Sequence, residues 1–98
     1  MGKLITVYWR DIPAQVIAKQ GRTTIKKPLS DRFQVAIDRA AMRAGKGSSD
    51  KYLEDWRRVP KNCSGALEDA ARAEAERLES AYDDVLLEKM VKAGGQAV

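Results

Sequence analysis

The chain of 98 residues contains no histidine and only one cysteine, Cys63. Histidine is the commonest general base near neutral pH and the commonest metal ligand, so the usual catalytic and metal-binding arrangements are excluded at the outset. One cysteine can build neither an internal disulfide nor a structural zinc site, and it suits a reducing compartment. We therefore predict that the chain is not an enzyme and holds neither a metal nor a cofactor.

Long apolar runs and phosphate-binding motifs are also missing. No run approaches the roughly 18 apolar residues that a membrane span requires, so we predict no membrane contact and a cytoplasmic location. Gly45–Ser49 contains glycine and lysine, but it lacks the preceding strand that a P-loop needs, and we interpret it as a loop between helices. The acidic cluster of Glu79, Asp83, Asp84 and Glu88 is not spaced as an EF-hand loop, which favours solvated helix-start acids over a metal site.

What the composition does support is one folded domain over residues 1–98. The chain is 44% hydrophobic and 33% charged, which is too apolar for a disordered chain and too charged for a membrane protein. A domain of this size keeps much of its surface wet, so a partner can supply part of its stability.

The first 27 residues are typical of short strands. Leu4–Arg10 is rich in β-branched and aromatic residues, Pro13 interrupts the pattern, and Gln15–Lys19 resumes it. Gly21 favours a tight turn before a third short strand at Thr23–Lys26. We predict an antiparallel meander of about three strands over residues 3–27.

Helical spacing dominates residues 30–93. Ser30 or Asp31 can cap a first helix, and Asp31 with Gln34 would form a capping box. Apolar residues at helical spacing from Phe33 to Ala44 form one stripe of this helix. A short helix is predicted from about residue 50 to residue 58, followed by a linker over 59–65. Beyond residue 66 we expect two helices that meet near Asp83, and a flexible tail over 94–98. The fold class is therefore α+β, with three to four helices on one face of a small sheet.

The segment Leu4–Val16, LITVYWRDIPAQV, resembles the start of a small bacterial domain family labelled "virulence factor". Further similarity runs through Phe33, Ala36–Ala41, Tyr52–Leu53, Trp56 and Tyr82–Asp84. The resemblance covers residues 3 to 93 and extends to a segment of a larger HEAT-repeat protein, conserved virulence factor C. It implies a bacterial cytoplasmic protein and no defined chemistry. Stand-alone members resemble proteins encoded near folate-dependent and corrinoid one-carbon enzymes, which implies an accessory subunit.

Charge is divided along the chain. Residues 1–61 hold 14 Lys/Arg and 6 Asp/Glu, a balance of +8, whereas residues 62–98 hold 4 and 8, a balance of −4. A basic ribbon of this kind is able to track a phosphate backbone, so nucleic-acid binding is an alternative function. The residues that would carry it are Lys19, Arg22, Lys26, Lys27, Arg39 and Arg43.

The leading hypothesis is a non-catalytic protein-interaction module or accessory subunit of a larger enzyme or assembly. Its candidate partner-binding residues are Trp9, Arg10, Asp11 and Gln15, because Trp and Arg are enriched among interface hot spots. The competing interpretation places Trp9 in the core and makes Arg10–Asp11 a local ion pair. A protein partner is expected, and the sequence leaves homo-oligomer formation open.

Overall fold

The computed structural model describes residues 2–45 and 49–97, so Lys46–Ser48 of the predicted loop between helices lies outside the described residues. The described chain forms a four-stranded sheet and four helices. In chain order these are β1 Gly2–Trp9, β2 Ile12–Gln20, β3 Thr23–Pro28, α1 Asp31–Arg43, α2 Ser49–Glu54, β4 Trp56–Cys63, α3 Leu67–Ala81 and α4 Asp84–Lys92. The predicted α+β class is confirmed.

All four strands are antiparallel neighbours in the order β3-β2-β1-β4. The predicted meander is present, but the predicted number of strands is wrong, because β4 occupies the end of the predicted short helix and most of the predicted linker. β4 pairs with β1 from Gly2↔Cys63 to Trp9↔Trp56. Its six central residues are exposed and carry no apolar alternation, so pairing with β1 rather than local pattern creates the strand.

The start of β2 also differs from the prediction. β2 begins at Ile12 and includes Pro13, which was expected to interrupt the strand. The register shifts here: Val7 pairs with Gln15 while Tyr8 pairs with Pro13, which leaves Ala14 as an extra residue. Such a β-bulge interrupts the ladder locally, and this accommodates a residue that cannot donate a backbone hydrogen bond.

The helices cover one face of the sheet. α3 lies against β2 and β3, while α1 packs on α4 and also touches β2. Ion pairs run from the strands to α3, with Lys27 bound to Glu68 and Lys61 bound to Glu74, each at 3.2 Å. The buried core lies between these layers. Its largest fully buried hydrophobic side chains are Trp9, Ile12, Val16, Phe33, Ile37 and Leu78.

Helix boundaries agree with the sequence in part. The last two helices are separate, as predicted, and Asp83 caps α4 by accepting a hydrogen bond from the Leu86 amide. The predicted capping box at α1 is absent. Ser30 is the N-cap, but its amide and hydroxyl both donate to Glu79 of α3, and the Gln34 amide donates to Asp38. Contact with α3 therefore replaces a local cap.

Candidate functional site

The side chain of Trp9, the first predicted partner-binding residue, is completely buried. Its ring stacks on Tyr52 with centroids 6.0 Å apart, and its Nε1 donates to the Tyr52 carbonyl oxygen at 2.8 Å. The competing interpretation, in which Trp9 packs in the core, describes its position. Trp9 therefore offers no surface to a partner in this conformation.

Arg10 and Asp11 lie in the tight turn between β1 and β2, and they do not pair with each other as expected. Arg10 adopts a positive φ of 52° and binds Asp55, with Nε 3.2 Å from Oδ2. Asp11 pairs with Arg57 at 3.0 Å. The turn directs the two side chains to different partners, so the predicted local ion pair is wrong.

The same turn fastens the C-terminal residues. The Asp11 amide donates to the Gly95 carbonyl at 2.9 Å, the Arg10 guanidinium donates to the Gly94 carbonyl, and the Ala97 amide donates to the Asp11 carboxylate. Gly95 has a φ of +93°, and a β-carbon there would lie 2.6 Å from the Trp9 ring. Residues 94–97 are thus clamped where a flexible tail was predicted, and Trp9, Arg10 and Asp11 act as a structural clamp.

The six cations predicted for nucleic-acid binding are distributed over different parts of the fold. Lys27 and Arg39 are bound to carboxylates, Lys27 to Glu68 and Arg39 to Glu88 through two hydrogen bonds. Arg22 is in the turn between β2 and β3, and Arg43 ends α1. Only Lys19 and Lys26 share a face of the sheet. The remaining predicted partner-binding residue, Gln15, lies on that same face.

This surface, which we call the open sheet face, is the side of the sheet away from α3. Successive side chains of a strand point to opposite sides of the sheet. Lys27 and Lys61 point to α3, so the strand residues that alternate with them, and the residues paired with those, lie on the open sheet face. Two shallow depressions on it are lined by strand and turn residues and by no helix residue. Its members are Lys3, Ile5, Val7, Gln15, Ile17, Lys19, Thr24, Lys26, Pro28, Trp56, Arg58, Pro60 and Asn62.

Three aliphatic side chains form the centre of the open sheet face. Ile5 and Ile17 are cross-strand partners, and Val7 follows Ile5 on the same side of β1. Ile17 is 4% exposed and Val7 8% exposed, although neither belongs to the main core. Long lysine and arginine side chains can cover such residues with their alkyl stems while the charged ends stay in water. The centre is therefore a small apolar patch with a basic border.

The border of this patch consists of Lys3, Lys19, Lys26 and Arg58. No carboxylate shares the open sheet face, and none of the four cations forms an ion pair within residues 2–45 and 49–97. Lys3 and Lys19 are directly opposite each other on β1 and β2, where like charges are destabilising. The face thus carries four uncompensated positive charges.

Carboxylates are instead concentrated among the helices. Glu74 is 8% exposed and accepts from both Arg77 and Lys61; the Arg77 hydrogen bond lowers the pKa of Glu74, with burial opposing it. Burial acts to raise the pKa of Glu79, but hydrogen bonds from Ser30 and Arg32 outweigh it, and the net direction is down. The hydrogen bond from Arg39 lowers the pKa of Glu88. Hydrogen bonds, mainly from arginines of the helices and from Ser30, thus favour the ionised form of these three acids.

A cleft of about 550 Å³ opens on the helix side, where β4 extends beyond α3. Tyr8 and Tyr82 line it, and burial raises the pKa of Tyr82, with Tyr8 and Asp11 nearby adding to the effect. Its two arginines are already paired, Arg57 with Asp11 and Arg77 with Glu74. The cleft therefore offers a ligand no unpaired arginine.

No catalytic or metal-binding arrangement stands out among the described residues. Cys63 is half-buried at the end of β4, and no group of three or more Cys, Asp or Glu side chains in residues 2–45 and 49–97 is placed to hold a metal ion. The same residues include no helix with the length and apolar character of a membrane span.

Sequence reasoning missed the open sheet face as a site, although Gln15, Lys19 and Lys26 were individually singled out. One sequence signal indicated this face. Lys3, Ile5 and Val7 are at alternating positions of β1, so a lysine and two apolar residues share one side of the strand. Arg58 could not be added to the set, because it was predicted to lie at the end of a helix. Its position on the face follows from the pairing of Val7 with Arg58.

Fold and site together define a two-layer α+β protein with one helix-covered sheet face and one basic open face. A family model described as "Virulence factor" matches residues 7–91, and the chain belongs to this family. The resemblance found from the sequence is thereby confirmed. No match was found among curated proteins or among solved structures.

Proposed function

We propose that this protein is a non-catalytic interaction module, an accessory subunit that docks on a larger protein through its open sheet face. The observation that carries the proposal is the border of four unpaired cations around Ile5, Val7 and Ile17. Interfaces combine an apolar centre with a polar rim, and complementary charge directs the encounter. A partner with carboxylates around an apolar contact matches both features.

Nucleic acid is the competing partner for a basic surface. Sheets that bind single strands stack successive bases on exposed aromatic side chains. The aromatic member of the open sheet face, Trp56, is half-buried and packs edge-to-face on Tyr52, so it does not form a stacking platform for successive bases. Ile5 at the centre keeps part of its apolar surface exposed, and such surface gains little from a sugar–phosphate backbone but is buried favourably against another protein. The face therefore favours a protein over a nucleic acid.

The setting and the host of this subunit are part of the proposal. Membership of the virulence factor family and the absence of histidine support a bacterial cytoplasmic protein without chemistry of its own. The resemblance to proteins encoded beside folate-dependent and corrinoid one-carbon enzymes supports an enzyme of that metabolism as the host.

The test is an affinity purification with a double charge reversal on the face, K19E/K26E. The control is K51E/K89E, which makes the same change in net charge at exposed positions on α2 and α4. With nuclease present, we expect one stoichiometric protein with the unchanged chain and with the control. We expect that protein to be lost with K19E/K26E. Equal recovery by both variants, or recovery of nucleic acid alone when nuclease is omitted, would contradict the proposal.

A further inference from the structure

We infer that the open sheet face binds an amphipathic helix of the partner protein, with carboxylates flanking its apolar stripe. This inference rests on the proposed function and names the element that docks. It draws on the sheet's edges, its width and the positions of its four cations.

The edges of the sheet disfavour docking by strand addition. β3 ends at Pro28 and β4 contains Pro60 near its middle, and these two strands form the outer edges. Proline cannot donate to a ladder, and edge prolines are a common device against pairing with another chain. A partner is therefore directed to the face of the sheet.

The dimensions of the face suit one helix. Four strands at about 4.8 Å spacing give a surface roughly 14 Å wide, and an α-helix with its side chains is about 10–12 Å across. The opposite face of the same sheet already packs helices in this way, with α3 against β2 and β3. One helix would complete a three-layer arrangement, with the sheet covered on both sides.

The cations are placed to flank such a helix. Half-buried Ile5 is the most accessible apolar contact, and the nearly buried Ile17 and Val7 lie next to it. Lys26 is beside Ile17 on β3, and Arg58 is beside Val7 on β4. Lys3 and Lys19 stand together beyond Ile5 and Ile17. A helix with apolar residues at i, i+3, i+4 and i+7 puts its flanking positions over these cations, and glutamate there would pair with them.

A second copy of this chain fits less well. The acidic residues of its own α3 are largely engaged, since Glu68 binds Lys27, Glu74 binds Arg77 and Glu79 binds Arg32. Docking α3 on the open sheet face of another copy would exchange existing ion pairs for new ones. A helix of another protein, whose carboxylates are unpaired beforehand, would form ion pairs with the open sheet face without breaking existing ones.

The experiment uses labelled synthetic peptides of about 18 residues, roughly five helical turns, read by fluorescence anisotropy. The first peptide has leucine at i, i+3, i+4 and i+7 and glutamate on both flanks. The second has the same composition, shuffled so that leucines surround the helix; the third replaces glutamate by lysine. A single-stranded oligonucleotide is the fourth probe, and sedimentation of the protein alone measures self-association.

We expect the first peptide to bind at least tenfold more tightly than the other three probes, a difference of about 1.4 kcal/mol. K19E/K26E should weaken this binding at least tenfold, whereas K51E/K89E should leave it unchanged. Amide NMR shifts on addition of the first peptide should map to Ile5, Val7 and Ile17. Circular dichroism of both variants checks that they remain folded.

Equal binding of the shuffled peptide, tighter binding of the oligonucleotide, or NMR shifts confined to the helix side would each overturn the inference. So would self-association that K19E/K26E abolishes, because the occupant would then be a second copy. If affinity purification still finds a protein that depends on Lys19 and Lys26, the proposed function stands and only the helical partner is wrong. Loss of that dependence removes both.

Discussion

The two faces of the four-stranded sheet differ in whether their cations form ion pairs. On the helix side, Lys27 and Lys61 reach from the edge strands to Glu68 and Glu74 of α3. On the open sheet face, Lys26 and Arg58 stand on the same two edge strands and have no carboxylate beside them. Cations on the same strand therefore differ in ion pairing according to the side of the sheet to which they point.

This difference arises because the acidic residues of the second half of the chain lie on one side of the sheet. The balance of −4 in residues 62–98 comes from α3, with a net charge of −3, and from Asp83, while the charges of α4 sum to zero; both helices lie on the same side of the sheet. Their carboxylates compensate cations on that side, and the sheet screens the other side from close contact. A charge division along the sequence thus becomes a division between two faces.

The largest expected contrast concerns the apolar residues of the two faces. Ile12 of β2 is completely buried in the core, whereas Ile5 of β1 is half-buried on the open sheet face. We expect Ile12→Ala to lower the free energy of unfolding by about 3–4 kcal/mol, because it leaves a cavity. Ile5→Ala should cost about 1 kcal/mol, since less surface returns to water. Urea unfolding measures both, and equal losses would show that the open sheet face is covered in the isolated chain.

The next contrast concerns Glu74, which is nearly buried and bonded to Arg77 and Lys61. We expect Glu74→Gln to lower the free energy of unfolding at pH 7 by about 1–2 kcal/mol. The control is Glu76→Gln, an exposed change on the same helix that should have almost no effect.

This loss should depend on pH. The pKa of Glu74 is lowered in the folded state, so its stabilisation is fully present above the unfolded value of about 4.3 and disappears as pH falls through the folded pKa. The difference in the free energy of unfolding between the unchanged protein and Glu74→Gln, measured by urea titration, should shrink as the pH is lowered below that value. A difference that is the same at pH 7 and at pH 3 would show that packing, not charge, is lost.

The smallest contrast compares two lysines of the edge strands. Lys61 pairs with Glu74 and Lys26 has no partner, so we expect Lys61→Gln to cost about 0.5–1 kcal/mol. Lys26→Gln should change the free energy of unfolding by no more than about 0.5 kcal/mol, with stabilisation the expected direction, because it relieves repulsion on the open sheet face. Thermal unfolding at low salt compares the two variants. A larger loss from Lys26→Gln would reveal a stabilising role that the open sheet face does not show.

Much of the fold could be predicted because its signals are local. β-branched residues and Gly21 indicate the first strands, apolar spacing around Phe33 and Ile37 indicates α1, and Asp83 separates the last two helices. Each of these signals acts within a few residues of the chain. The division of charge between residues 1–61 and 62–98 is likewise a property of the sequence itself.

The candidate site could be predicted only in fragments. Gln15, Lys19 and Lys26 were singled out separately, but the open sheet face that unites them requires the register of β1 with β2 and of β2 with β3. Trp9 is of a residue type that is enriched at interface hot spots, yet it is buried by contacts with Tyr52 and Gly95, which lie far along the chain. Residue type alone does not distinguish a core tryptophan from an exposed one.

The sequence by itself determined the local elements, the poor catalytic inventory and the unequal charge of the two halves. Tertiary structure decided that residues 56–63 form a strand, that the tail at 94–97 is held by Arg10 and Asp11, and which cations remain unpaired. The physical reason is separation along the chain. The pairing of β4 with β1 and the contacts of Arg10 and Asp11 with the tail join residues that are about 47 to 86 positions apart, and only the packed fold determines which of them meet.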